Sequence, residues 1–141
     1  MSEFTDKAKE IYLQGYSCSE AIIRGAYEAG LLDKNTDINT VNKISSAFSG
    51  GVGHSGCICG ALSGAEIVVG LLKGREDLTQ DPKAVKSMAL KVIEEFKNKQ
   101  KATCCRVLSS GYDFNSVERK FNCSRIVHDT AIILERALKE S

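Results

Sequence analysis

The sequence predicts an all-α fold: a compact helical bundle of about five to seven helices in a single domain spanning 1–141. Three observations carry that reading. Apolar residues recur three and four apart, as in Val85, Met88, Ala89, Val92 and Phe96, the spacing of one helix face. Good capping residues and glycines punctuate the chain at helix-length intervals. Strand signals are weak, and a single proline with 6% aromatic residues argues against a turn-rich all-β protein. A chain of 141 residues buries a real core without covalent staples.

Each element has a start and a stop. The first helix is expected from about Thr5 to Gln14, closed by Gly15. The second opens on Ser17-Cys18-Ser19-Glu20, a capping box in which serine and glutamate satisfy each other's free amides. It continues through Ala21, Ile22, Ala26 and Tyr27 to a stop at Gly30. After the polar link Asp33 to Asp37, Val41, Ile44 and Phe48 fall at helical spacing. Gly50 to Gly56 reads as a loop feeding a fourth helix from about Cys57 to Lys73, ended by Gly74. Asp81 as N-cap and Pro82 at the first helical position start a fifth. A short helix follows Thr103. The last is expected from Cys123 to about Leu138, burying Ile126, Ile133, Leu134 and Ala137.

Composition excludes several functions. Net charge is +1, so no general pull toward nucleic acid or membranes is expected. The basic cluster Lys97, Lys99 and Lys101 suits a helix C-terminus. Met1 to Lys7 lacks the profile of a signal peptide. The longest apolar run, Cys57 to Leu72, is broken by Ser63 and Glu66 and is short for a bilayer. A cytoplasmic protein is therefore expected, and there disulfides rarely persist as structure. Six cysteines in such a compartment suggest metal binding or redox work.

The cysteines themselves fall where helices are expected to begin. Ser17-Cys18, Thr103-Cys104-Cys105 and Asn122-Cys123 place thiols after N-cap residues, and Cys57 and Cys59 lie where the glycine loop enters a helix. A helix N-terminus offers free amides and positive potential, so it favours a thiolate or a thiolate-bound cluster. One cysteine alone would read as a small core residue. The loop Gly51-Val52-Gly53-His54-Ser55-Gly56 is a literal G-x-G-x-x-G, with Asp77 about twenty residues on. Without a preceding strand it is not a dinucleotide site. Its glycines, Gly53 and Gly56 among them, let the backbone turn and approach whatever the thiols hold. Gly60 and Gly64 lie one turn apart inside a helix, at a cost of roughly 1 kcal/mol each against alanine. Close approach of another helix or a cofactor would offset it.

Four ordered blocks resemble the family of small redox-active helical proteins labelled by the cysteine pattern C-GCAxxG-C-C. Gly15-Tyr16-Ser17-Cys18-Ser19-Glu20-Ala21 is similar to the first block and Gly50 to Gly64 to the second. Cys105-Arg106-Val107-Leu108 resembles the third, and Cys123 the fourth. The central motif departs from the label, reading Cys59-Gly60-Ala61 with cysteine before glycine. Cys57 follows a glycine too, yet Ile58 breaks the pattern, so Cys59 is aligned. The resemblance implies a redox role for Cys18, Cys59, Cys105 and Cys123, with Cys57 and Cys104 as alternates within their pairs.

Chemically, four thiols from four helices suit an iron–sulfur cluster, with Gly53, Gly56, Gly60 and Gly64 around it. The same geometry suits dithiol–disulfide exchange without metal. A zinc site or a non-redox interaction module is the alternative, although the short knuckles of structural zinc sites are missing. His54, in the loop near Cys57, is a weaker candidate. His128 lies about 140° round its helix from Cys123, away from a shared site. Arg106 and Arg125 adjoin thiols and could raise their acidity. A redox partner is implied but not identified, and a glycine-rich helical face would also suit a homodimer.

Overall fold

Capping chemistry sets most of the helix starts. The computed structural model describes residues 2–140, so Met1 and Ser141, the ends of the expected domain, lie outside the described residues. Among these residues are seven helices and no strand: α1 (Glu3–Gln14), α2 (Cys18–Glu28), α3 (Ile38–Ser46), α4 (Gly60–Lys73), α5 (Lys83–Gln100), α6 (Cys105–Leu108) and α7 (Val117–Lys139). Ser2 caps α1, and the Ser17–Glu20 capping box opens α2, with the Ser17 amide donating to Glu20 Oε1 at 2.9 Å. Asp37 caps α3 through the Thr40 amide at 3.2 Å. Asp81 accepts from the Lys83 amide at 2.9 Å, but α5 begins at Lys83 with Pro82 as its N-cap, one residue later than expected.

Helix α2 lies between α1 and α4, α1 also packs on α7, and α5 lies across α4 and α7. Ile22, Ile23, Leu62, Phe96, Val127 and Leu134 fill the space between them. The α2–α4 approach is close because Gly64 has no side chain. A Cβ there would stand 2.7 Å from the Ser19 carbonyl oxygen, nearer than any real contact. Backbone contact of this kind offsets the intrinsic helix cost of the glycine.

Three sequence expectations are corrected. Helix α4 begins at Gly60 rather than Cys57, because the stretch 57–59 runs beside 103–105. There Ile58 pairs with Cys104, the Cys59 amide donates to Thr103 and the Arg106 amide to Gly56. Those bonds take the backbone out of the helical register. In α3, Val41 is buried, but Ile44 is 54% exposed and Phe48 lies past the end, so the apolar spacing does not mark one buried face. Helix α7 begins six residues earlier than expected, at Val117, with Ser116 accepting from the Arg119 amide at 3.0 Å. Val117 and Phe121 are 79% and 71% exposed, so the buried face of α7 begins only at Cys123. Periodicity therefore hid the first two turns.

Candidate functional site

The loop between α3 and α4 makes a left-handed turn. Gly50, Gly51, Val52, Gly53 and His54 have consecutive φ values of 66, 76, 67, 61 and 64°. Such backbone costs roughly 1–2 kcal/mol at each non-glycine residue, so Val52 and His54 are held there by their surroundings. Amides of Val52, Gly53 and His54 are satisfied by the carbonyls of Phe48, Ala47 and Ser49. The turn lays the loop against the α6 start, where a Cβ on Gly51 would meet Cys105 Cβ at 2.8 Å. The glycines thus serve close backbone approach to a cysteine-bearing helix rather than a phosphate cradle.

Cys18 is the first residue of α2, Cys59 the N-cap of α4, Cys105 the first residue of α6, and Cys123 lies in the second turn of α7. All four line one cavity of about 360 Å³ at one end of the bundle. Tyr12, Gly60, His54 and Arg119 also line it. Cys57 and Cys104 do not: Cys57 is exposed, and Cys104 caps α6 with its backbone in the Ile58 pairing. The placement at helix N-termini holds for Cys18, Cys59 and Cys105. It fails for Cys123, which is inside a helix because α7 starts at Val117. Asn122, expected to cap it, instead donates its side-chain amide to the Leu108 carbonyl at 3.1 Å, tying α7 to α6.

The remaining glycine candidates divide. Gly60 lines the cavity, with Cys18 Cβ 3.3 Å from where its own Cβ would stand. Gly56 abuts Arg106, Gly64 abuts Ser19 and Ile22, and Gly53 faces open space. His128 does not line the cavity. Arg106 is exposed on the Gly56 side, whereas Arg125 forms an ion pair with Asp129 at 3.1 Å.

Electrostatics separates the thiols. A hydrogen bond from the Cys18 thiol is the largest influence on Cys123. Arg119, Tyr12 and Arg125 act in the same sense and outweigh burial, bringing the Cys123 thiol down to about 6. The same hydrogen bond, followed by burial and by the nearby sulfurs of Cys59, Cys123 and Cys105, pushes Cys18 well above the usual thiol value. Burial raises Cys59 to about 11 although the Ala61 and Leu62 amides at the α4 start pull the other way. Tyr12 is pushed up, first by burial and then by Cys18 and Cys123, so its hydroxyl stays a donor. Cys123 is thus the thiol favoured as a thiolate, with Cys18, Cys59 and Tyr12 around it held toward their protonated forms.

Sequence reading missed Arg119 and Tyr12. Arg119 lies over the Phe114 ring at 4.8 Å and reaches Cys105 Sγ at 3.9 Å. A start for α7 at Ser116 would have exposed it, since Arg119 and Cys123 are then i and i+4 on one helix face. Tyr12 carries no local signal. It comes from α1, and only the packing of α1 on α2 and α7 brings it in.

Among the described residues no group of three or more His, Cys, Asp or Glu side chains is placed to hold a metal ion. Nor, among the described residues, is any helix long and apolar enough to cross a membrane.

Fold and site together define a small helical protein with a thiol-lined pocket. The family model described as "Putative redox-active protein (C_GCAxxG_C_C)" matches residues 16–137, which include all four pocket cysteines. The chain belongs to that family. No curated protein and no solved structure matches it.

Proposed function

We propose that the pocket is a dithiol–disulfide redox centre in which Cys123 is the nucleophile and Cys18 the resolving thiol. The observation that carries this is the convergence of Cys18, Cys123, Tyr12 and Arg119 on one cavity, where Cys18 lowers the Cys123 thiol and is itself raised by it. A thiolate attacks a disulfide sulfur, whereas a thiol does not, so the proton held on Cys18 selects Cys123 for the first step.

The exchange balances without a metal. Cys123 thiolate attacks a substrate disulfide R–S–S–R, forming a mixed disulfide and expelling RS⁻. Cys18 then gives its proton to the first RS⁻, making RSH, and attacks Cys123 Sγ, forming the Cys18–Cys123 disulfide and expelling the second RS⁻, which solvent protonates. The protein dithiol is oxidised by two electrons and the substrate is reduced to two thiols. Tyr12 and Cys59 keep their protons through the exchange, so neither competes with Cys123 as the nucleophile.

A second reading has one observation in its favour. Four cysteines line the cavity, two more than a disulfide needs. That donor set is the one an iron–sulfur cluster takes, so Cys18, Cys59, Cys105 and Cys123 would hold it. When bound, it would supply one-electron transfer. The side chains as they stand are not grouped around a metal ion, which is why the dithiol reading comes first.

One experiment separates the two. The protein is purified without oxygen and assayed for iron, sulfide and visible absorbance, alongside Cys59→Ser. The dithiol reading expects a colourless protein in which both forms make a Cys18–Cys123 disulfide on mild oxidation, seen by peptide mapping. Stoichiometric iron and sulfide, lost in Cys59→Ser together with stability, would establish the cluster instead.

A further inference from the structure

The cavity is electrically one-sided. The chain as a whole is nearly balanced, with 19 Lys and Arg against 18 Asp and Glu. Yet Arg119 and Lys120 line the cavity, His54 stands among its walls, and no Asp or Glu does so among the described residues. Local neutralisation is also missing. Among the described residues the ion pairs are Lys7–Glu28, Lys91–Glu140 and Arg125–Asp129, and none involves Arg119 or Lys120.

The two cations are placed differently. Arg119 is fixed: its guanidinium stacks on Phe114, donates to the Phe114 carbonyl at 3.3 Å and extends toward Cys105 Sγ. Lys120 is exposed and carries no side-chain partner among the described residues, so its ammonium can meet a charge entering from solvent. Phe114 in turn meets the His54 ring edge-on at 5.2 Å, giving the pocket an aromatic wall. A volume of about 360 Å³ suits a small molecule, at the low end of ligand pockets.

We propose that the substrate of this site is a low-molecular-weight disulfide bearing carboxylate groups, which Lys120 and Arg119 receive while its sulfurs meet Cys123. This rests on the dithiol reading above. A cation without an ion-pair partner among the described residues, lining the same cavity as the reactive sulfur and with no acid beside it in that lining, favours an anionic substrate over a neutral one and disfavours a cationic one. The reaction is the exchange already written: two protein thiols become a disulfide, and the carboxylated disulfide becomes two carboxylated thiols.

Three simple dialkyl disulfides test it. Dithiodipropionate is dianionic, bis(2-hydroxyethyl) disulfide is neutral and cystamine is dicationic at neutral pH. Reduced, metal-free protein is mixed with each, the rate of Cys18–Cys123 disulfide formation is measured, and each rate is divided by that of free dithiothreitol with the same compound. The division removes differences in leaving-group chemistry. The normalised rate is expected to run dianion, neutral, dication, with about five- to tenfold between the ends. In Lys120→Met that ratio should fall by about threefold, and added salt should compress it in the wild type. Equal normalised rates for all three compounds, or a dication preference, would overturn the inference while leaving the dithiol reading intact. If none of the three oxidises the pair, the dithiol reading fails and this inference with it.

Discussion

The start of α2 and the second turn of α7 each deliver one thiol to the same cavity, and they do opposite things with it. Cys18 has the better address: first residue of a helix, behind a complete Ser17–Glu20 capping box. Cys123 sits inside a helix whose early amides are already engaged. The positive end of a helix should favour a thiolate at Cys18. Instead Cys18 is pushed up and Cys123 brought down to about 6. The difference lies in the neighbours. Cys18 faces other sulfurs and gives its proton toward one, whereas Cys123 receives from Cys18 and Tyr12 and lies near two arginines. Directed hydrogen bonds and close charges outweigh a helix dipole whose influence fades within a turn.

The largest expected effect comes from breaking the Cys123 side of this pair. Cys123→Ser should lower the rate of thiol–disulfide exchange by about 100-fold or more, because a serine hydroxyl is not ionised there. Cys18→Ala is expected to behave differently. It should leave Cys123 able to form a mixed disulfide that accumulates unresolved, and should move the midpoint of Cys123 reactivity upward. Mass spectrometry of the trapped adduct checks the first, and alkylation rate against pH the second. An unmoved midpoint would show that Arg119 and Tyr12 alone hold the thiolate.

What the sequence disclosed follows the same division. The start of α2 was legible because capping is local: Ser17, Glu20 and Gly15 lie within six residues. The Met88–Val92–Phe96 face of α5 was legible because packing buries a regular stripe. The start of α7 was not, since exposed Val117 and Phe121 break the periodic signal and only Ser116 marks the cap. The family pattern singled out Cys18, Cys59, Cys105 and Cys123, the cysteines that line the cavity. It could not separate them chemically, because Tyr12 and Arg119 reach them through tertiary packing. Cys57 and Cys104 adjoin the motif cysteines in sequence, and in the fold the exposure of Cys57 and the Ile58–Cys104 pairing accompany their absence from the cavity.

Smaller effects sharpen the contrast. Gly64→Ala would drive a Cβ into the Ser19 carbonyl and force α2 away from α4, carrying Cys18 with it. A loss of about 1–3 kcal/mol in urea unfolding is expected. Slower closure of the Cys18–Cys123 disulfide should accompany it. Unchanged stability would mean that the helices separate freely at that crossing.

Glu66 on α4 shows what burial does without a partner. Its Oε1 is buried with no hydrogen bond among the described residues, and burial raises the carboxyl to about 7. The unfolded carboxyl ionises near its ordinary value of about 4.3, while the folded one holds its proton to about 7. Stability contributed by this group is therefore present below the unfolded value and lost as pH rises through 7. Glu66→Gln should gain about 1 kcal/mol at pH 8 and nothing at pH 4, the gain being limited by the group's partial exposure. Thermal melts at the two pH values would show it, and a gain equal at both would remove titration as the cause.

The most direct test of a single thiolate among protonated neighbours is residue-resolved alkylation. Reduced, metal-free protein is treated briefly with iodoacetamide across pH 5 to 10, and each cysteine is quantified by peptide mass spectrometry. Cys123 is expected to react with a midpoint of about 6, while Cys59 stays unreactive until about 11 and Cys18 lags above the ordinary thiol value. A Cys123 midpoint at the free-thiol value of about 8.5, with Cys18 reacting at or below it, would contradict the account.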